Sequence, residues 1–231
     1  IKDFKKGFLP IIVPVAIICL LIAPANLSTS ILIFGTSLML MFIGRVSTKH
    51  ILYTLGIAMI PIVLLITIAV STYDTKTQET KKLPAIISGG RIPTWISRIQ
   101  TFIYSKKEDD NEKLYQINQA KIAIANGGWL GLGPGNSEQR NFLPHSYSDF
   151  IYAIIIEEYG LLGATGILFI YLLFLYRCIR LYRKCPYAFG AFLALALSCT
   201  LVIQAIANMG VNVNLFPNTG VTLPLVSMGG S

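Results

Sequence analysis

The sequence predicts an all-α polytopic membrane protein, with about five complete transmembrane helices, the start of a sixth, and one large extracellular loop containing short amphipathic helices. Three observations predict it. The 231 residues are 54% hydrophobic and only 13% charged, with a mean hydropathy of +0.63, too apolar for an ordinary soluble domain. Apolar runs close to the roughly 20 residues that cross a bilayer recur along the chain. Short basic connections alternate with uncharged ones, as the two sides of a membrane require.

The first span is placed at 8–24. Its surroundings, IKDFKKGFLPIIVPVAIICLLIAPA, imitate a secretory signal peptide with a basic start and a small-residue site. It reads instead as a span, because more spans follow and residue 1 is Ile. The second span is 30–45, short enough to need tilting or polar extension, and the third is 51–71. A polar stretch, 72–149, forms the large loop. The fourth span is 150–175 and the fifth 188–208. A second loop, 209–225, leads toward a sixth span, and both chain ends read as cut from a longer protein.

Orientation follows from the short connections. Lys2, Lys5 and Lys6 precede the first span, Arg45 and Lys49 follow the second, and Arg177, Arg180, Arg183 and Lys184 follow the fourth. PANLSTS, after the first, has no charge. Basic connections stay in the cytoplasm, which puts 72–149 and 209–225 outside. A net charge of +8 therefore reflects orientation rather than a nucleic-acid partner. Cys19, Cys178, Cys185 and Cys199 show no CxxC pair, and His50 and His145 lie far apart, so neither a disulfide framework nor a metal site is expected.

A 78-residue loop must have structure of its own. RIPTWISRIQTFIY has helical spacing of apolar and basic residues, with Trp95 as an interface anchor, and fits a helix on the membrane surface. LYQINQAKIAIANGG reads as an amphipathic helix ended by glycine. TYDTKTQETKKLP and SKKEDDNEK are polar connections. GLGPGNS lacks the GK[ST] ending of a nucleotide P-loop, so a tight turn is the simpler reading, with anion cradling by its amides as the alternative.

The most informative stretch is FLPHSYSDFIYAIIIEEYG, 142–160. Ser146 or Ser148 suits an N-cap, which puts Asp149 in the first helical turn, where a carboxylate favours the helix dipole. The other reading is chemical, since Asp149 then stands at the mouth of a membrane helix beneath a folded loop. Glu157 and Glu158 follow about 12 Å further along a straight helix. For Glu158 a hydrogen bond to a neighbouring helix suffices, and Glu157 stays open. Arg91, Arg98, Lys121 and Arg140 could meet lipid head groups, or hold a pyrophosphate beside an activated sugar hydroxyl. NMGVNVNLFPNTGVTLPLVSMGGS is polar and rich in Pro and Gly, so it folds back to line a cavity or forms a surface loop.

These stretches resemble a known family. FLPHSYSDFIYAIIIEEYG is similar to FLPxxHTDFIFAxxxEExG, and PNTGVTLPLVSMGGS to PxTGxTLPLxSxGGS, both of the SEDS family (FtsW/RodA/SpoVE). YQINQAKIAIANGGWLGLGPGNSEQRNFLP matches the stretch between, and GLGPGNS resembles the FtsW branch. Two places depart from the pattern. Asn26 stands where the family usually has an acid, and His145-Ser146 are displaced from the usual His-Thr-Asp run.

The resemblance implies a ten-helix protein, of which this chain covers roughly the fifth helix through the start of the tenth. It implies a peptidoglycan glycosyltransferase that polymerises lipid II into glycan strands during septal wall synthesis. It would sit in the bacterial cytoplasmic membrane with its active site facing outward. The family's essential aspartate matches Asp149, which is the catalytic candidate. Substrate-binding candidates are Arg98, Lys121, Arg140, Asn136, Ser137, Glu157, Thr222 and Ser227. No protein metal site is expected, although a divalent cation such as Mg could assist. The implied partners are lipid II, a class B penicillin-binding protein and other division proteins. A lipid II transporter and a non-catalytic division scaffold are the rival readings.

Overall fold

A computed structural model describes residues 7–72, 92–104, 112–143, 147–217 and 220–228. The connections 73–91 and 105–111, the Pro144–Ser146 segment with His145, and the cation Arg91 lie outside the described residues. Among the described residues every regular element is helical. They form two compact units, Ile1–Lys107 and Glu108–Ser231.

The first unit holds α1 (Leu9–Ile22), α2 (Leu27–Ile43), α3 (Thr48–Ser71) and α4 (Ile92–Tyr104). The helix in 8–24 is shorter than that segment. It ends at Ile22 because Pro24 disfavours helical backbone at Ala23 and carries no N–H. Asn26 caps α2, its side-chain oxygen accepting from Thr29 N–H at 3.3 Å, so an uncharged residue suffices as the cap. Ser30 Oγ then donates to the Cys19 carbonyl at 2.9 Å and ties α2 to α1. The amphipathic pattern of 92–104 does form a helix, α4, which buries Ile96 and Gln100. Gln100 Nε2 donates to the Ala69 carbonyl at 2.8 Å, one of the last four carbonyls of α3, which have no helical partner.

The second unit holds α5 (Glu112–Gly127), α6 (Ile151–Lys184) and α7 (Ala188–Asn212). α3, α6 and α7 are long and apolar enough to cross a membrane, and α1 and α2 are shorter apolar helices. α6 has 34 residues, about 51 Å of helix against a hydrocarbon core of about 30 Å. It resolves the mismatch by breaking. Gly160 has φ 67° and ψ −169°, a conformation open essentially to glycine alone. The two pieces fold toward each other. Tyr152 Oη donates to the Ala164 carbonyl at 3.4 Å, although 12 residues along a straight helix span about 18 Å. Depth in the membrane therefore does not follow from residue count across this helix.

A broken helix frees backbone groups that must be satisfied. The glycine-rich turn after α5 does this. Leu132 N–H and Gly133 N–H donate to the carbonyls of Glu157 and Glu158, each at 2.9 Å. Leu161 N–H donates to Gly128 O at 3.0 Å and Leu162 N–H to Trp129 O at 3.4 Å. The approach is so close that side chains are excluded. A Cβ on Gly127 would strike the Ile156 carbonyl, one on Gly131 the Glu158 carbonyl, and one on Gly160 the Trp129 carbonyl. The core of the unit packs Tyr152, Ile156, Ala164 and Tyr171 of α6 against Val202, Ala205 and Met209 of α7 and Leu223 of the last loop.

Candidate functional site: a carboxylate in a pinned turn

α7 is apolar, yet Asn208 and Asn212 sit four residues apart on it, both almost fully buried. Buried amides need partners, and these two find them in the turn before α6. Asn208 Nδ2 donates to the Asp149 carbonyl at 3.0 Å and to the Val221 carbonyl at 2.6 Å. Asn212 Nδ2 donates to the same Asp149 carbonyl at 2.9 Å and to Asn208 O at 2.9 Å. Asn212 Oδ1 accepts from Ala153 N–H at 3.2 Å, an N–H that it shares with the Phe150 carbonyl at 3.0 Å, so α7 adds an acceptor to the first turn of α6.

The last loop holds the turn from the other side. Ser227 Oγ accepts from Leu223 N–H at 2.8 Å and donates to the Ser148 carbonyl at 2.6 Å. Met228 N–H donates to the Tyr147 carbonyl at 2.8 Å. Three successive carbonyls, of residues 147, 148 and 149, are thus fixed by α7 and the last loop.

α6 begins at Ile151, with Phe150 in the capping position and no side-chain cap bond. Asp149 therefore precedes the helix and does not occupy its first turn, contrary to the spacing argument. Ser148, expected as a cap, spends its hydroxyl on Asp149 Oδ1 at 3.0 Å. Asp149 is half-buried, on a backbone whose carbonyls at 147, 148 and 149 are all hydrogen-bonded. Such a group can accept a proton from a bound hydroxyl.

Glu157 is 0% exposed. Ser137 Oγ donates to its Oε2 in a short hydrogen bond, and Gln139 N–H lies 3.4 Å from both carboxylate oxygens. Ser137 Oγ also accepts from Arg140 N–H at 3.2 Å. The candidate binding residues Glu157 and Ser137 are thus turned into the protein and tie the 137–140 segment to α6. Arg140 itself is exposed. Its Nε donates to Tyr147 Oη at 3.1 Å, and its guanidinium lies 5.2 Å from the Tyr147 ring centre. The hydrogen bond to Tyr147 raises the Arg140 pKa above its ordinary value, and a guanidinium is cationic at neutral pH in any case.

The other candidates are spread out. Asn136 is exposed, with its Nδ2 on the Leu132 carbonyl at 3.1 Å. Lys121 lies exposed on α5. Thr222 is half-buried, its carbonyl accepting from Gln204 Nε2 at 3.3 Å. Arg98 belongs to α4 of the first unit. Sequence reading missed Asn208, Asn212 and Tyr147. The two asparagines had a signal, since polar residues four apart in an apolar run mark one buried helix face. Among the described residues no three His, Cys, Asp or Glu side chains gather to hold a metal ion, so no step is routed through a cation.

Residues 1–231 match the family FtsW/RodA/SpoVE, described as cell cycle protein. The chain is 32% identical over its whole length to the probable peptidoglycan glycosyltransferase FtsW of Nitrosomonas europaea, covering 55% of that protein. It is 31% identical, again over its whole length, to stage V sporulation protein E of Bacillus subtilis, covering 57%. Over 121 residues, 51% of this chain and 31% of the relative, it is 46% identical to the probable FtsW of Hydrogenovibrio crunogenus. The chain thus spans about half the length, or less, of the curated relatives it matches. A solved structure reported under "Structural coordination of polymerization and crosslinking by a peptidoglycan synthase complex" shares the fold. Its TM-score is 0.61 at 20% identity, over 99% of this chain and 56% of that one.

Proposed function

This chain belongs to the FtsW/RodA/SpoVE family of cell cycle proteins, and from that premise we propose that it carries the acceptor-activating part of a peptidoglycan glycosyltransferase. The substrate is lipid II and the product a glycan strand, made at the outer face of the bacterial cytoplasmic membrane during septal wall synthesis. The names of the relatives support the reaction. The pinned turn supports the assignment of its base.

Asp149 takes the proton from a sugar hydroxyl of the acceptor. The freed oxygen attacks the anomeric carbon of the other glycan, that carbon's bond to the pyrophosphate breaks, and undecaprenyl pyrophosphate leaves with the electron pair. Arg140, joined to the turn through Tyr147, two residues before Asp149, is the cation assigned to offset that charge. Glu157 and Ser137 act by holding the Arg140 segment and not by touching substrate. A class B penicillin-binding protein cross-links the strands, alongside other division proteins.

The observation that carries this reading is Asp149 itself. It caps nothing, its main-chain carbonyl is fixed, and its carboxylate is left half-accessible at the end of a membrane helix. A lipid II transporter would also use a broken helix. At the Gly160 break, however, the carbonyls of Glu157 and Glu158 are already taken by loop amides, which favours the enzyme.

The test uses the full-length protein with its transpeptidase partner and labelled lipid II. Wild type gives glycan ladders on a gel, and Asp149→Asn gives none while still binding the partner. Equal ladders from both would remove Asp149 as the base. No ladders from either, with the partner bound, would favour the transporter or the scaffold.

A further inference from the structure

We propose that Asn208 and Asn212 are positioning residues that set the direction of the Asp149 carboxylate. This rests on the reading of Asp149 as the base and adds to it how the base is held.

Both side-chain amides converge on one atom. Asn208 Nδ2 and Asn212 Nδ2 reach the Asp149 carbonyl oxygen at 3.0 and 2.9 Å. A carbonyl oxygen has two lone pairs, so two donors fill it and lock the peptide plane that follows Asp149. With the preceding plane held by Ser227 on the Ser148 carbonyl, the two planes together fix the Cα–Cβ direction and with it where the carboxylate can reach. The donors are themselves oriented, because Asn212 Nδ2 also bonds Asn208 O at 2.9 Å and Oδ1 at 3.2 Å. Asn212 Oδ1 holds Ala153 N–H on the far side of the same turn.

A pair serving only to join α7 to α6 could bond any exposed group. This pair converges on the Asp149 carbonyl and on the Ala153 N–H that follows it, and makes no hydrogen bond to the Asp149 side chain. Both residues are almost fully buried, Asn208 at 1% and Asn212 at 2% exposure. They are positioned to act through the backbone and not on substrate.

The experiment uses full-length protein with its partner and labelled lipid II. It compares Asn208→Ala, Asn212→Ala and Asn212→Asp with wild type, with Asp149→Asn alongside. Asn212→Asp keeps the shape and the acceptor for Ala153 and, when ionised, removes the donor. The readouts are kcat, KM and amide hydrogen exchange in 147–154. The expected result is a fall in kcat of roughly ten- to hundredfold in all three, with KM within about twofold, and faster exchange confined to 147–154. Wild-type kcat with faster exchange overturns the proposal, since the turn would then loosen without consequence for chemistry. A matched loss of folding, partner binding and kcat in the shape-preserving Asn212→Asp overturns it too, because the pair would then be only a fastening between helices. Failure of the base reading shows separately, as activity retained in Asp149→Asn.

Discussion

At the scale of single residues, the structure separates two carboxylates that the sequence presents alike. Asp149 keeps a half-accessible side chain on a fixed backbone, whereas Glu157 has none of its surface exposed. The difference comes from partners distant in the chain. Glu157 meets Ser137, 20 residues earlier, and Asp149 meets Asn208, 59 residues later. An aspartate between a polar run and an apolar helix was legible as a candidate, and so was a glutamate further on. Their roles were not, because spacing within one helix says nothing about which loop folds onto it. Ser137→Ala tests the Glu157 assignment. It leaves a buried carboxylate without its hydroxyl donor and should lower stability by about 2 kcal/mol. The check is a lower unfolding midpoint in detergent with KM for lipid II unchanged. A KM rise at unchanged stability would instead return Ser137 and Glu157 to the substrate.

At the scale of elements, the break in α6 is the feature that shapes the site. It lets the first piece fold back so that Tyr152 reaches Ala164, which brings the 147–150 turn beside the end of α7. The sequence announced the helices themselves, because long apolar runs and glycine-terminated amphipathic stretches have few other solutions. It did not announce the break, since an isolated glycine within a helical pattern is ordinarily tolerated. What makes Gly160 different is the turn 127–133, whose backbone supplies the missing hydrogen bonds. Gly160→Ala therefore meets two penalties, a positive φ and a collision with the Trp129 carbonyl. The expected cost is about 3 kcal/mol or more, seen as poor yield or a sharply lower unfolding midpoint. Gly166→Ala, on the same helix with open space around its Cα, is the control and should be neutral. If the two variants behaved alike, the break would not be a determinant of the fold.

At the scale of the whole molecule, the chain is a multi-pass membrane protein of its family, and what remains is which side each loop faces. For the site, the α6–α7 hairpin frames the question. Its connection follows Arg177, Arg180, Arg183 and Lys184, which lie in the last turns of α6, and the pinned turn stands near the opposite end of α7. Gly160 lies about 26 Å from Arg177 along the second piece of α6, close to a hydrocarbon thickness. The proposed function puts the basic end and the Asp149 turn at opposite membrane faces. The positive-inside rule favours the cytoplasm for the basic end, and the proposed function then needs Asp149 on the outer side. Single cysteines at two exposed positions, Glu138→Cys and Tyr187→Cys, in a chain otherwise cleared of cysteine, read this out. In intact spheroplasts a membrane-impermeant maleimide should label position 138 and leave 187 untouched until the membrane is opened. The reverse pattern would put Asp149 in the cytoplasm, where the growing glycan is absent. The polymerase reading would then fail whatever the chemistry of the turn.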